Sequence, residues 1–364
     1  MKTNLIKYYS KINLGDDIFL LLLADRYIDH FLLLNSAQSL FIAQLKNVHR
    51  LKFGNFIYLL SKIIETVVRT RRNILISTLL LRSEIKAYIY IGGSLFIESS
   101  IKHWGKEADS YKRITKPYYI LGSNIGPIDT DDFINYVCEM FKGAQDVCLR
   151  DRASYELVKD LPNTRLATDI AFTLDTSKYK IESKKRVVFS LVDCRSRFSE
   201  AIADRYEKAV AHMTERFLKK GYEVIYMSFC KFEGDEVANE NAICRLPSKL
   251  RTKIATYNYS GDIEEALQIL ASSSIVVATR FHATILGLVF GKKVLPIAYS
   301  DKTLNILSDM HFPGPVIDIR DIEKSDIHRL NFESIPTMDV AVLKSLAETQ
   351  FQELDKVLTR RADV

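Results

Sequence analysis

The sequence predicts an α/β protein made of two parallel-sheet units with a cleft between them. β-Rich runs alternate with helical stretches along the whole chain, the pattern that gives parallel sheets covered by helices. A polar, lysine-rich stretch at 175–185 interrupts the alternation near its middle, and a second set of strands and helices begins directly after it. Length agrees, since 364 residues correspond to about two domains of ordinary size. The expected division is an N-terminal unit over 1–178, a C-terminal unit over 185–335 and a terminal helix over 336–364.

In the first unit, NLGDD at 13–17 reads as an N-cap and the first turn of a helix. AYIYI at 87–91 is a strand ending in Gly92-Gly93, PYYIL at 117–121 is another, and DVCL at 146–149 is a short strand running into a charged turn. Residues 131–143 and 152–160 read as helices. The glycine loops, including LGSNIGP at 121–127, also fit plain tight turns, because Gly and Pro chiefly punctuate structure. Neither has a phosphate-loop or dinucleotide-binding spacing.

In the second unit, 186–191 is a strand and 198–220 a helix with Ala201, Tyr206, Val210, Met213 and Phe217 on one side. Gly221 stands where a C′ glycine ends a helix. Strands at 222–227, 274–278 and 293–297 alternate with helices at 263–271 and 283–289, and a long helix is expected from about residue 340.

Composition narrows the class of function. Apolar residues at 47% and charged residues at 26% exclude a disordered chain. The cysteines (138, 148, 194, 230, 244) are scattered without metal or redox spacing, so buried free thiols in a reducing cytoplasm are expected. Apolar runs such as 19–23 and 31–34 are interrupted by Asp25, Arg26, Asp29 and His30, too short for a membrane span or a signal peptide. The net charge of +6 is concentrated at 46–82, where eight Lys or Arg face one acid, Glu65, with apolar residues between them. This fits either a solvated helix face or a peripheral contact with an anionic membrane or lipid-pyrophosphate. No zinc-finger or RNP-like pattern points to nucleic acid.

The strongest chemical cluster is SIVVATRFHATILGLVFGKKVLPIAYSDK at 274–302. A strand ends at Ala278, and Arg280 and His282 follow where strand turns into helix, the edge at which open α/β sheets bind ligands. Arg280 offers a planar fork to a phosphate or carboxylate, and His282 a group that exchanges protons near neutrality. A helix-capping pair without catalytic duty fits the same spacing.

In order along the chain, NLGDD, IGGSLF (91–96), LGSNIGP, LRDRASYELV (149–158), ATDIAF (167–172) and TRFHATILGLVFGKKVLPIAYSDK (279–302) resemble the polysaccharide pyruvyl transferase family. The last block is the most specific. Ser94 replaces the usual third small residue after Gly92-Gly93, and the 46–82 stretch matches no family motif. The resemblance implies two Rossmann-like domains in a GT-B-like glycosyltransferase architecture, with the donor held mainly by the C-terminal domain. It implies transfer of the enolpyruvyl group of phosphoenolpyruvate onto two sugar hydroxyls of a cell-surface polysaccharide, without metal or cofactor, and the basic 46–82 stretch motivates a lipid-linked precursor as acceptor at the cytoplasmic face of the membrane.

Site residues follow from the motif positions. Arg280 binds donor phosphate or carboxylate, and His282 acts as general acid or phosphate ligand. Arg195, with Arg197 close behind, completes the anion clamp unless both are ordinary surface arginines, and Lys302 adds charge. Asp16 and Asp17 are candidate bases, with Asp151 and Asp169 as alternatives. Asp151, lying between Arg150 and Arg152, also reads as a structural ion-pair partner. Gly15, Gly92, Gly93, Ser94 and Asn124 mark acceptor-side loops. Two rivals stay open: a glycosyltransferase using a nucleotide-sugar donor, and a non-catalytic polysaccharide-assembly protein.

Overall fold

The computed structural model describes residues 3–34, 40–50, 85–98, 101–112, 114, 116–195, 197–325, 327 and 329–359. The basic stretch beyond residue 50, and with it most of the expected membrane contact at 46–82, lies outside the described residues.

The first sheet contains β1 (Thr3–Lys7), β2 (Phe31–Leu34), β3 (Val48–Arg50), β4 (Ile85–Ile91), β5 (Tyr118–Ser123), β6 (Asp146–Leu149) and β7 (Thr164–Leu166), in the spatial order β3-β2-β1-β4-β5-β6-β7. The second contains β8 (Arg186–Ser190), β9 (Glu223–Ser228), β10 (Ile254–Asn258), β11 (Ile275–Ala278), β12 (Lys293–Ala298) and β13 (Ile317–Asp318), ordered β10-β9-β8-β11-β12-β13. Every pairing is parallel. Each sheet therefore runs outward from its first strand in both directions, the doubly wound Rossmann order. β5 is buried at every position and β4 at all but Lys86, as expected of strands covered on both faces.

The helices are α1 (Leu14–Arg26), α2 (Ile101–Tyr111), α3 (Asp131–Lys142) and α4 (Arg152–Glu156) in the first half. In the second they are α5 (Glu200–Lys219), α6 (Asp235–Cys244), α7 (Ser248–Arg251), α8 (Ile263–Ala271), α9 (Phe281–Val289) and α10 (Asp301–Asp309). Expected helix 152–160 stops at Glu156, and the Val158 carbonyl is taken by Thr164 Oγ1 at 3.0 Å. On α5, Tyr206, Val210, Met213 and Phe217 are buried as expected, whereas Ala201 is exposed in the first turn and Ala203 takes the inner position.

α1 explains how the halves meet. Its sequence LGDDIFLLLLADR is apolar around most of its circumference, and Leu14, Ile18, Phe19, Leu20 and Leu23 are buried. One side packs on the first half and another on α8, while Leu14 N donates to Phe229 O at 3.0 Å. A single apolar cluster runs from Ile18 and Phe19 through Ile285 and Leu286, so the cleft has a hydrophobic floor shared by both halves.

Residues 175–185, which join the sheets, are anchored rather than loose. Tyr179 is buried, and its hydroxyl donates to Glu264 Oε2 at 3.0 Å. The long C-terminal helix expected from about residue 340 is two helices, α11 (Ala341–Glu348) and α12 (Gln352–Leu358), separated by a 3-10 turn at Thr349–Phe351. The break turns Gln350 inward, where it accepts from Gly122 N at 2.9 Å and donates to Thr168 O at 2.9 Å. Arg26 and His30 then bind Asp355 and the Leu358 carbonyl, fastening the end of the described chain to the N-terminal half.

Of the cysteines, 148, 194 and 230 are buried, Cys138 is half-buried and Cys244 is exposed. The expectation of uniformly buried thiols fails at the last two, which occupy outward turns of α3 and α6.

Candidate active site

The carboxyl ends of both sheets face one another across a cavity of about 200 Å³. Tyr9 and Asn13 reach it after β1, Ser94 after β4 and Arg150 after β6; Arg197, Glu233, Arg280 and Tyr299 reach it after β8, β9, β11 and β12. The strand order reverses between β1 and β4 and between β8 and β11, so the cavity joins the switch points of both sheets, where such folds bind ligands.

Arg150 lines it from the N-terminal half and is absent from the sequence-based roles. Its side chain is 1% exposed. Nη1 donates to Asp169 Oδ2 at 2.6 Å and Nη2 to Asn124 Oδ1 at 3.0 Å, and the guanidinium lies 4.8 Å from the Phe281 ring centre. Asp169 is itself fixed, accepting from Ala171 N at 2.9 Å. Asp169 and Asn124 are thus the holders of Arg150, and neither lines the cavity. The loop expected on the acceptor side turns the Asn124 side chain inward, onto Arg150. Asp151 caps α4, accepting from Ser154 N and Oγ, each at 2.9 Å, so it is a helix cap rather than an ion-pair partner of its neighbours.

His282 Nε2 lies 3.4 Å from Arg150 Nη1. A guanidinium only donates, so this contact assigns Nε2 as acceptor and the proton to Nδ1. Burial pushes the imidazole down to about 4, with Asp169 opposing and Arg150 adding to the fall. Burial and the Arg150 guanidinium thus favour the neutral, accepting imidazole. Arg280 is the N-cap residue of α9, yet its side chain makes no capping bond, so the pair is not a helix cap.

Two glycines are explained by close approach. A Cβ on Gly15 would stand 1.9 Å from His282 Nδ1, and one on Gly93 2.4 Å from Arg150 Nη2. The first turn of α1 and the loop after β4 are pressed onto the two groups that meet in the cleft. Asn13 caps that turn, accepting from Gly15 N at 3.1 Å. Gly92 lies beside Asp16 and Leu95.

The paired aspartates separate. Asp16 lines the cavity, and burial pushes its carboxyl up to about 7, against Arg150 and with help from Glu233 and Asp17. Asp17 is fully buried and accepts from Tyr259 of the other half at 2.7 Å. Its place as a candidate base is corrected: it ties the halves together and does not line the cavity.

The cations on the C-terminal wall also sort themselves. Arg280 is gripped by Asp235, with Nε at 2.9 and 3.1 Å from the two oxygens, and by Glu233 through Nη1. Arg195 binds Glu207 at 2.5 Å and Glu200 at 3.2 Å, so it anchors α5 and leaves the cavity, contrary to expectation. Arg197 is exposed, lies 5.1 Å from the Tyr299 ring centre, lines the cavity and forms no salt bridge among the described residues. Lys302 donates to Ser94 Oγ at 2.8 Å across the cleft, and burial drives its pKa well below the ordinary lysine range, with Arg150 adding. Among the described residues no group of three His, Cys, Asp or Glu could hold a metal.

Sequence reasoning missed Arg150, Tyr9, Glu233, Asp235 and Tyr299. Arg150 and Tyr299 stand within quoted motifs and could have been found by asking which charged or aromatic residue follows each strand. Glu233 and Asp235 belong to no recognised motif.

The family model for polysaccharide pyruvyl transferase matches residues 13–301. The amylovoran biosynthesis protein AmsJ of Erwinia amylovora is 21% identical over 267 residues, 66% of this chain and 63% of AmsJ, so this chain spans less than two thirds of that relative. Among solved structures, the S. aureus MnaA–UDP co-structure superposes with a TM-score of 0.61 at 10% identity, covering 100% of this chain and 98% of that one. Anabaena Alr3699/HepE in complex with UDP and glucose gives 0.58 at 13% identity, covering 99% and 100%. At such identities these likenesses show the fold alone, the GT-B-like pair of Rossmann-like domains seen here. The match over 13–301 takes in the NLGDD turn, the Arg150 loop and the Arg280–His282 turn that meet in the cleft, and the chain belongs to the polysaccharide pyruvyl transferase family.

Proposed function

We propose that this chain moves the enolpyruvyl group of phosphoenolpyruvate onto two hydroxyls of a saccharide as a cyclic ketal, releasing phosphate. The observation that carries the reading is the convergence of Arg150, Arg197, Arg280 and Lys302 on one small cavity beside Asp16 and His282. The carboxylates that share this lining are Asp16 and Glu233, with Asp169 and Asp235 holding Arg150 and Arg280 from behind, so the feature that suits a compact anion is the set of oriented cationic groups on one cavity rather than a net positive charge. The saccharide, a unit of a cell-surface polysaccharide or its lipid-linked precursor, is read from family membership and from AmsJ's role in amylovoran biosynthesis.

The reaction sets the roles. Protonation of the donor methylene makes C2 electrophilic. One acceptor hydroxyl bonds to C2 and loses its proton. The second then displaces phosphate, which leaves with the electron pair of the C2–O bond, and its proton departs with phosphate. Arg150, held before the ligand arrives, stabilises phosphate charge without reorganisation, and a bound anion favours the protonated form of Lys302 beside it. Asp16, poised near neutrality, suits proton removal from the acceptor. A bound dianion raises the proton affinity of His282 and brings it toward the acid needed at the methylene.

Thermal unfolding with phosphoenolpyruvate and with UDP-, GDP- and CMP-sugars tests this, because a ligand that binds only the folded state raises apparent stability. The expected result is a shift with phosphoenolpyruvate that Arg280→Ala largely abolishes. A shift with a nucleotide sugar and none with phosphoenolpyruvate would hand the site to glycosyl transfer. Silence with every ligand would favour a non-catalytic role in polysaccharide assembly.

A further inference from the structure

Glu233 has no part in the chemistry above, yet it stands in the cavity against Arg280. It ends the 3-10 turn Lys231–Glu233 that follows β9, and Gly234, at φ 85°, reverses the chain so that Asp235 returns to the same guanidinium. The two carboxylates are held differently. Asp235 is fully buried and also accepts from Phe229 N at 2.8 Å and Cys230 N at 3.0 Å. Glu233 keeps 33% of its side chain exposed, and apart from Arg280 its partners are the Tyr9 side chain and Asn13 Nδ2 at 3.4 Å.

Asp235 occupies the Nε edge of Arg280, and Glu233 takes the Nη1 end. We infer that Glu233 holds the donor anion's place on Arg280 before the donor binds and thereby sets a threshold for binding: an incoming anion gains Arg280 only by displacing a tethered carboxylate. This rests on the reading of Arg280 as a donor ligand. Asp235 cannot yield, because it would strand two buried backbone donors. Glu233 can, because its carboxylate already reaches solvent.

The consequence is a threshold that only a ligand with several cationic contacts clears. A multiply charged phosphate ester engages Arg150, Lys302 and Arg197 as well, and that attraction offsets the displacement of Glu233. A monocarboxylate such as pyruvate, similar in shape to the donor's carbon skeleton, offers no more charge to Arg280 than the glutamate already there. Glu233 then holds small carboxylates below the affinity that a free Arg280 would give them, while a ligand with further cationic contacts still binds.

Calorimetric titration of phosphoenolpyruvate, pyruvate and inorganic phosphate tests this on wild type, Glu233→Gln, Asp193→Asn, Arg280→Ala and the Arg280→Ala/Glu233→Gln double variant. Asp193 lines the adjoining cavity with Glu233 but pairs with Arg195, so its variant removes equal charge from the rim without touching Arg280. Glu233→Gln should tighten pyruvate on the order of tenfold and phosphoenolpyruvate by at least as much, and Arg280→Ala should abolish both gains. Equal tightening by Asp193→Asn, or no tightening by a Glu233→Gln protein with native thermal unfolding, would overturn the inference. The donor reading fails separately, if wild type binds a nucleotide sugar and not phosphoenolpyruvate. The inorganic phosphate arm still reports then whether Glu233 competes for Arg280.

Discussion

Arg150 on the N-terminal wall and Arg280 on the C-terminal wall each follow a strand and each face the same cavity, but they are held in opposite ways. Arg150 is locked by Asp169 and Asn124, groups that are themselves buried and turned away from the cavity. Arg280 is 12% exposed and shares its fork with Glu233, which stands in the cavity. A guanidinium whose partners lie behind it is preorganised, because its orientation is fixed before any ligand arrives. A guanidinium whose partner lies in front is exchangeable. Two sheets of the same strand order therefore present a fixed cation and a contested one.

The largest expected effect tests the fixed side. Arg150→Ala leaves Asp169 buried without its cation, which should cost on the order of 3–5 kcal/mol of stability and abolish phosphoenolpyruvate binding. Arg195→Ala is the contrast. Glu207 keeps Arg245, with Nη2 at 3.2 Å, so the loss should be about 0.5–1 kcal/mol and phosphoenolpyruvate affinity should not change. Urea unfolding and calorimetric titration of both variants measure the difference. Equal costs would mean that burial of the pair does not set its strength.

Only the Arg280 side of this comparison was legible in the sequence. Arg280 and His282 stand out because they terminate an apolar strand, and Asp16 and Lys302 because they sit in motifs at strand ends. Distances between distant segments were not legible. Gly15 reads as a helix-start residue until His282, far along the chain, is seen to occupy the space its Cβ would need. Asp16 and Asp17 are adjacent and chemically identical, and only the helical turn decides which faces the cleft and which meets Tyr259. Arg195 and Arg197 differ in the same way: the acids on α5 capture the first and leave the second to the cavity. Strand β10 was missed because its residues are exposed or half-buried, and an edge strand carries little apolar signal.

A smaller effect sharpens the contact between the walls. In Gly15→Ala the new methyl group must push His282 aside, and the imidazole cannot then keep its 3.4 Å contact with Arg150. Overpacking of this kind typically costs about 1–3 kcal/mol. Phosphate release from phosphoenolpyruvate should fall on the order of a hundredfold, because misplacement by about 1 Å has that effect on an aligned group. Retained turnover would show that His282 needs no fixed position.

The smallest effect concerns pH and separates the two titrating groups of the cleft. Asp16 rises from 3.8 to about 7 on folding, so the folded state binds the extra proton between those values and its stability falls as pH climbs through that window. His282 drops from 6.5 to about 4, so its contribution runs the other way and stability falls as pH is lowered through the same range. In wild type the two slopes largely cancel. Asp16→Asn removes only the first and should expose the second. The variant should be more stable than wild type at pH 8, by on the order of 2 kcal/mol, and close to it at pH 4. Urea unfolding across pH 4–8 reads this directly. A difference that stays constant across the range would mean that Asp16 keeps an ordinary carboxylate pKa and is no more burdened by burial than a surface acid, in which case proton removal from the acceptor would have to be sought elsewhere in the cavity.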